Sequence, residues 1–227
     1  MAIFLDSGKI DQVEKFLRWG VIRGVTTNPT IFLKDGVTGG VEGMKARARE
    51  IAAMIAPLPL SLEVTSNDPG RMVDQAREFA ALAGNINIKI TIHGPNGEDE
   101  NIGVIHELET VHGVRVNATA MMSAQQCLLA ALAGATYVSL FGGRVNNMGY
   151  DASDEITRLR EVLELQGLES QIIIGSVREV NNVIAWLHAG AHIVTVTPDI
   201  LGGMLVHPYS KETVRMFLDD AKKCDAD

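Results

Sequence analysis

One lysine stands inside an apolar run, Asn85-Ile86-Asn87-Ile88-Lys89-Ile90-Thr91. The alternation predicts a strand with Ile86, Ile88 and Ile90 on one face and Asn85, Asn87, Lys89 and Thr91 on the other. A strand buried on both faces rarely carries an ammonium, because desolvating the charge without a partner is costly. That cost falls when the amine gives up its proton, and a neutral lysine in a closed pocket is a nucleophile toward carbonyls. The plainer alternative is an edge strand with Lys89 in water.

Polar residues recur at the ends of the other predicted strands: Asp6, Asn28, Glu63, Asn117 with Thr119, Ser139 and Ser176. Each has a local explanation. Asp6 and Ser176 are placed to cap helices, and Asn28 to make a turn before Pro29. Their convergence on one end of successive strands points to a site, because structural polar residues have no reason to choose that end. A lysine among carboxylates, amides and hydroxyls suits Schiff-base formation with a ketone. Asp6 and Glu63 can move protons to and from hydroxyls and the carbinolamine. The protonated imine is itself the electron sink, so this chemistry needs no metal and no cofactor. Arg144 after the sixth strand, and Ser176 with Arg178 after the seventh, lie beside glycines and a helix amino terminus. Together they offer an anion pocket, often a phosphate site; solvated helix-end charges are the alternative for both arginines.

Positioning these groups requires an ordered set of elements. Strands are predicted at 2–5, 21–27, 60–64, 85–91, 114–117, 137–141, 171–175 and 192–196. Helical spacing follows at 11–19, 41–55, 71–82, 99–112, 123–133, 154–166, 178–189, 200–206 and 211–222. A loop is expected at Asn28-Pro29, a mobile loop at 34–40, a glycine-rich turn at Gly142-Gly143-Arg144, and Ser153 as a helix cap. Eight strand–helix units with no linker predict one α/β domain over 1–227, a closed (β/α)8 barrel with an extra C-terminal helix. An open doubly wound sheet usually shows a GxGxxG turn after its first strand, and this chain has none.

With 227 residues the chain can bury a substantial core, and 46% hydrophobic with 21% charged residues fits a soluble globular protein. A formal charge of −8 disfavours nucleic acid and anionic membranes as partners, while a local arginine cluster can still hold an anionic small substrate. No apolar run is long enough to span a bilayer. The two cysteines, Cys127 and Cys224, lack metal or redox spacing. A reduced, cytoplasmic setting is expected.

At this point the residues match a family. Phe4-Leu5-Asp6-Ser7, Gly24-Val25-Thr26-Thr27-Asn28-Pro29-Thr30, Ile88-Lys89-Ile90, Val116-Asn117-Ala118-Thr119, the run from Ala133 to Ser139 and Gly143-Arg144 resemble the small transaldolases and fructose-6-phosphate aldolases. The likeness runs from Phe4 to about Pro208. It implies a class I, Schiff-base aldol mechanism in which Lys89 attacks the C2 carbonyl of a ketose and Asp6 takes the proton of the C4 hydroxyl. Glu63 and Thr119, through a water, would shuttle protons. Asn28, with Thr27 beside it, Asn117 and Ser139 would hold the dihydroxyacetone unit, and Arg144, Ser176 and Arg178 the distal phosphate. The resemblance also implies a ring-shaped homo-oligomer, a decamer of two pentamers or a single pentamer. Its arm would be the terminal helix 211–222, through Val214, Phe217 and Leu218.

Within the family, simple aldolases carry glutamine on strand three and tyrosine after strand six, and release dihydroxyacetone. With Glu63 and Phe141 this chain resembles the transaldolases, which pass the unit to an aldose phosphate acceptor. The chain departs from the family pattern at Thr91-Ile92-His93, Met121-Met122 and Asn146-Asn147. These positions are expected to line the route to the acceptor and distal end, and to favour a modified donor, such as a sulfonated ketose, or a specialised acceptor. The readings that compete are an aldolase releasing free dihydroxyacetone and a barrel that binds or isomerises a phosphosugar without covalent chemistry.

Overall fold

Short parallel strands buried on both faces need helices outside and packed side chains inside. The computed structural model, which describes residues 2–224, meets both needs. Eight strands close in sequence order. They are β1 (Ile3–Asp6), β2 (Val25–Thr26), β3 (Leu60–Glu63), β4 (Ile86–Thr91), β5 (Val116–Met121), β6 (Tyr137–Leu140), β7 (Gln171–Ile174) and β8 (Ile193–Val196). Every neighbouring pair is parallel, and β8 returns to β1 with Thr195 beside Phe4. Closure leaves no open edge.

The helices cover the outside. α1 (Ile10–Arg18) follows β1, and α2 (Pro29–Lys34) and α3 (Gly40–Ile55) follow β2. α4 (Pro69–Ala80), α5 (Glu100–Thr110) and α6 (Ala124–Leu132) follow β3, β4 and β5. α7 (Gly142–Asn147) and α8 (Ala152–Leu165) follow β6, and α9 (Val180–His188) follows β7. α10 (Pro198–Leu205) and α11 (Pro208–Cys224) close the described chain. This is the expected (β/α)8 barrel with an additional C-terminal helix.

Two cores hold it. Ile86, Ile88 and Ile90 join the large cluster between strands and helices, as the alternation predicts. Inside the barrel, Phe4, Tyr137, Ile173 and Ile193 form a separate cluster. Each stands two residues before an inward residue at the cavity: Asp6, Ser139, Gly175 and Thr195. The apolar cluster therefore stoppers the barrel beneath the polar layer. Gly24 makes room for it, since a Cβ there would sit 2.7 Å from the Phe4 ring.

Several boundaries differ from expectation, each for a local reason. The second strand is only two residues long. Asn28-Pro29 starts a helix rather than a loop: the Asn28 side chain accepts from Ile31 N at 2.8 Å, and Pro29 occupies the first turn of α2. The glycine-rich turn after β6 is the helix α7. Asp151, not Ser153, caps α8, its carboxylate accepting from Ser153 N. β5 begins two residues later than expected and runs on to Met121 through an irregular register between Ala118 and Met121. The terminal helix starts at Pro208, which suits its first turn.

Candidate active site

Strand register assembles the centre. β4 lies between β3 and β5, which sets Glu63 and Asn117 on either side of Lys89. Lys89 is 5% exposed. Its Nζ lies 3.0 Å from Glu63 Oε2 and donates to the Thr27 carbonyl at 3.0 Å. The amine is thus buried with a carboxylate partner. Removing one partner of such a buried pair costs about 3–5 kcal/mol.

Asp6, at the end of β1, is set among protein atoms yet opens partly to the cavity. Burial pushes its carboxyl above the ordinary carboxylate value. Lys89 and a hydrogen bond from Thr26 oppose the rise, and Asp35 and Glu63 add to it. Thr26 Oγ1 donates to Asp6 Oδ1 at 2.6 Å. Asp6 does not cap the first helix, whose cap position is Lys9. Asn28 both caps α2 and lines the cavity.

On the β5–β6 side, Ser139 Oγ donates to Asn117 Oδ1 at 2.6 Å, and Asn117 Nδ2 donates to Ser61 Oγ at 3.1 Å. This chain fixes the Asn117 amide. Beyond it, Ala120 holds a left-handed φ of 60° at the irregularity in β5. A non-glycine residue there is strained, and such strain collects at functional sites. Thr119, one residue earlier, is 1% exposed, and its hydroxyl has no protein partner among the described residues. A buried hydroxyl left alone costs about 1–3 kcal/mol, so this one is placed for a water or substrate oxygen.

The cationic end is built from α7 and the segment before α9. Gly143 packs directly on the Ser176 carbonyl, where a Cβ would come within 1.8 Å. Ser176 has a left-handed φ of 59°. It does not cap α9, whose cap residue is Glu179. Arg144, in α7 rather than on a turn, sets its guanidinium 5.5 Å from the Phe141 ring centroid. Arg178 reaches the same wall.

These groups open into one cavity of about 780 Å³. Its lining includes Asp6, Asn28, Glu63, Lys89, Asn117, Thr119, Ser139, Phe141, Arg144, Ser176 and Arg178. Thr27 is different: its side chain donates to the Ser61 carbonyl at 2.8 Å, it is fully buried, and only its carbonyl serves the site. Residues that sequence reasoning missed also line the wall, among them Thr26, Asp35, Thr195 and Thr197. The one available signal was the period-two alternation carrying Ile193 inward and, with it, Thr195.

The departures from the family pattern do not line the cavity. Thr91 is held by Asn101, Met121 is wholly buried, and Asn146 Oδ1 accepts from Ala152 N at the start of α8. The expectation that these positions line the substrate route is not met at this cavity wall.

Comparison with known proteins shows the family. The family described as Transaldolase/Fructose-6-phosphate aldolase matches residues 3–227. A probable transaldolase of Heliobacterium modesticaldum is 39% identical over 220 residues, covering 97% of each chain. One of Dehalococcoides mccartyi is 36% identical over 222 residues, covering 98% of each. Among solved structures, a thiamine phosphate pyrophosphorylase from Pyrococcus furiosus superposes with a TM-score of 0.59 over 86% of this chain and 85% of its own, at 10% identity. That likeness is one of fold alone.

Proposed function

The chain belongs to the transaldolase/fructose-6-phosphate aldolase family, an enzyme family, and from that premise we propose that it moves a three-carbon dihydroxyacetone unit from a ketose phosphate to an aldose phosphate through a Schiff base on Lys89. The observation that carries this reading is the Lys89 amine, buried 3.0 Å from Glu63 at the floor of a cavity that also holds Asp6.

Glu63 takes a proton from the Lys89 ammonium, and the free amine attacks C2 of the donor. Glu63, with a water at the unpartnered Thr119 hydroxyl, returns a proton so that the carbinolamine oxygen leaves as water. The protonated imine then draws electrons from the C3–C4 bond. Asp6 removes the C4 hydroxyl proton, the bond breaks, the aldehyde departs and an enamine stays on Lys89. When an acceptor aldehyde enters, the enamine carbon attacks it, and Asp6 gives its proton to the new alkoxide. Hydrolysis of the imine through Glu63 and Thr119 frees the product. A carboxyl whose affinity for protons is raised by burial suits a group that must hold a proton between the two halves.

Asn28, Asn117 and Ser139 would bind the hydroxyls of the three-carbon unit. Arg144, Ser176 and Arg178 would bind the phosphate, with the Phe141 ring steadying Arg144. Phe141 brings no hydroxyl to the enamine, which favours transfer over protonation and release.

The chain is further proposed to act as a cytoplasmic homo-oligomer. Among the described residues no helix is long and apolar enough to cross a membrane. α11 buries none of its residues within the protomer, and Val214, Phe217 and Leu218 are exposed along it. The test of the transferase reading is to supply fructose 6-phosphate with and without an aldose phosphate and to follow products by mass spectrometry. Transfer far above release is expected. Equal release of dihydroxyacetone with and without acceptor would contradict it.

A further inference from the structure

We propose that Thr195, acting through Thr26, is a positioning residue that sets the hydrogen bonding of Asp6 during carbon–carbon bond cleavage. The inference rests on the role given to Asp6 above.

Three adjacent strands supply the parts. In register, Thr26 on β2 lies beside Asp6, and Thr195 on β8 lies beside Phe4 on the other flank of β1. The two hydroxyls meet at 2.5 Å, immediately above the apolar stopper. Thr26 also lies 2.6 Å from Asp6 Oδ1. Both threonines are largely buried at the cavity wall. The other oxygen of Asp6 has no protein hydrogen bond among the described residues and is left for the substrate.

Proton counting gives the pair its direction. Thr26 has one hydroxyl proton. When Asp6 is a carboxylate, that proton goes to Asp6, so the contact between the hydroxyls must be donated by Thr195. When Asp6 takes the proton of the C4 hydroxyl on its other oxygen, Oδ1 becomes a neutral carbonyl oxygen and accepts from Thr26 more weakly. Thr26 keeps donating to Oδ1, and Thr195 keeps donating to Thr26. The hydroxyl chain therefore keeps one direction in both states and supports the carboxylate of Asp6 more than its protonated form. A lone Thr26 could support the carboxylate but would lack the donor that polarises it.

The charged groups that face Asp6 are Lys89 from β4, Glu63 from β3 and Asp35 at the end of α2. Replacing Thr195 leaves all three in place. Thr195→Val keeps the branched shape and removes the hydroxyl. The carboxylate form of Asp6 then loses support, its affinity for protons rises, and the base needed for cleavage is lost at a higher pH as pH falls.

The experiment compares the intact protein with Thr195→Val, Thr195→Ala and Thr195→Ser. Borohydride trapping of the donor imine is expected at the wild-type extent in all three. In the Val and Ala variants kcat should fall about tenfold, the scale of one buried hydrogen bond. KM should stay within about twofold, because uniform binding is untouched. The acidic limb of the kcat profile should move to higher pH, and Thr195→Ser should restore both kcat and the limb. A normal adduct with an unmoved limb, or a Ser variant as poor as Val, would overturn this proposal alone. Absence of any adduct in the wild-type protein would overturn the Schiff-base reading and this proposal with it.

Discussion

Asp6 and Glu63 are two carboxylates in one cavity, and their different surroundings are the reason for proposing different work for them. Glu63 lies 3.0 Å from the Lys89 amine and is the carboxylate proposed to exchange protons with it. Asp6 has a threonine hydroxyl on one oxygen, and burial raises its hold on a proton, which suits work on the substrate's hydroxyl. Asp6→Ala is therefore expected to leave imine trapping near the wild-type level while slowing bond cleavage by about 10²–10⁴-fold, the usual contribution of a positioned base. Single-turnover cleavage measured beside borohydride trapping checks this; joint loss of both would mean that Asp6 holds the shape of the site. At this scale Lys89 and Glu63 were legible because charges are costly inside a barrel, and cost leaves a mark in a sequence. Thr26 and Thr195 were not, because threonine is an ordinary strand residue. Only the register of β8, β1 and β2 brings their hydroxyls together.

The elements explain why the cationic end is where it is. The glycines after β6 read as a turn, yet they open the helix α7, and Gly143 is there because the Ser176 backbone passes where a Cβ would stand. Gly143→Ala should push that segment away and spoil the placement of Ser176, Arg144 and Arg178 together. The expected result is a KM for a phosphorylated donor at least about tenfold higher, with a smaller loss in kcat, and a stability loss of about 1–3 kcal/mol typical of overpacking. Steady-state kinetics and a denaturant titration check it; an unchanged KM would show that this contact does not organise the phosphate end. The strand ends were readable to within a few residues from alternation and turn residues. The strain at Ala120 and Ser176 was not, because neither residue type advertises a left-handed backbone.

For the molecule as a whole, counting eight strand–helix units was enough to reach the barrel, because a parallel strand buried on both faces has few other places to go. The stopper of Phe4, Tyr137, Ile173 and Ile193 then makes the site open at one end only. α11 lies outside this economy. Its apolar stripe was legible, but a single chain does not record what covers it. With Phe217 62% exposed and Leu218 59% exposed, a second copy of the chain is the proposed cover. Phe217→Asp combined with Leu218→Asp should lower the mass seen by light scattering toward that of one protomer, with helical circular dichroism retained. An unchanged mass would place the subunit contacts elsewhere.

The reading as a whole stands on the amine of Lys89. The most direct measurement is reduction of the protein with borohydride in the presence of fructose 6-phosphate, followed by intact-mass and peptide analysis. The account predicts an irreversible adduct of one dihydroxyacetone or hexose phosphate unit on Lys89, absent in Lys89→Ala. An unmodified Lys89 under saturating donor, or an adduct on a different lysine, would contradict it.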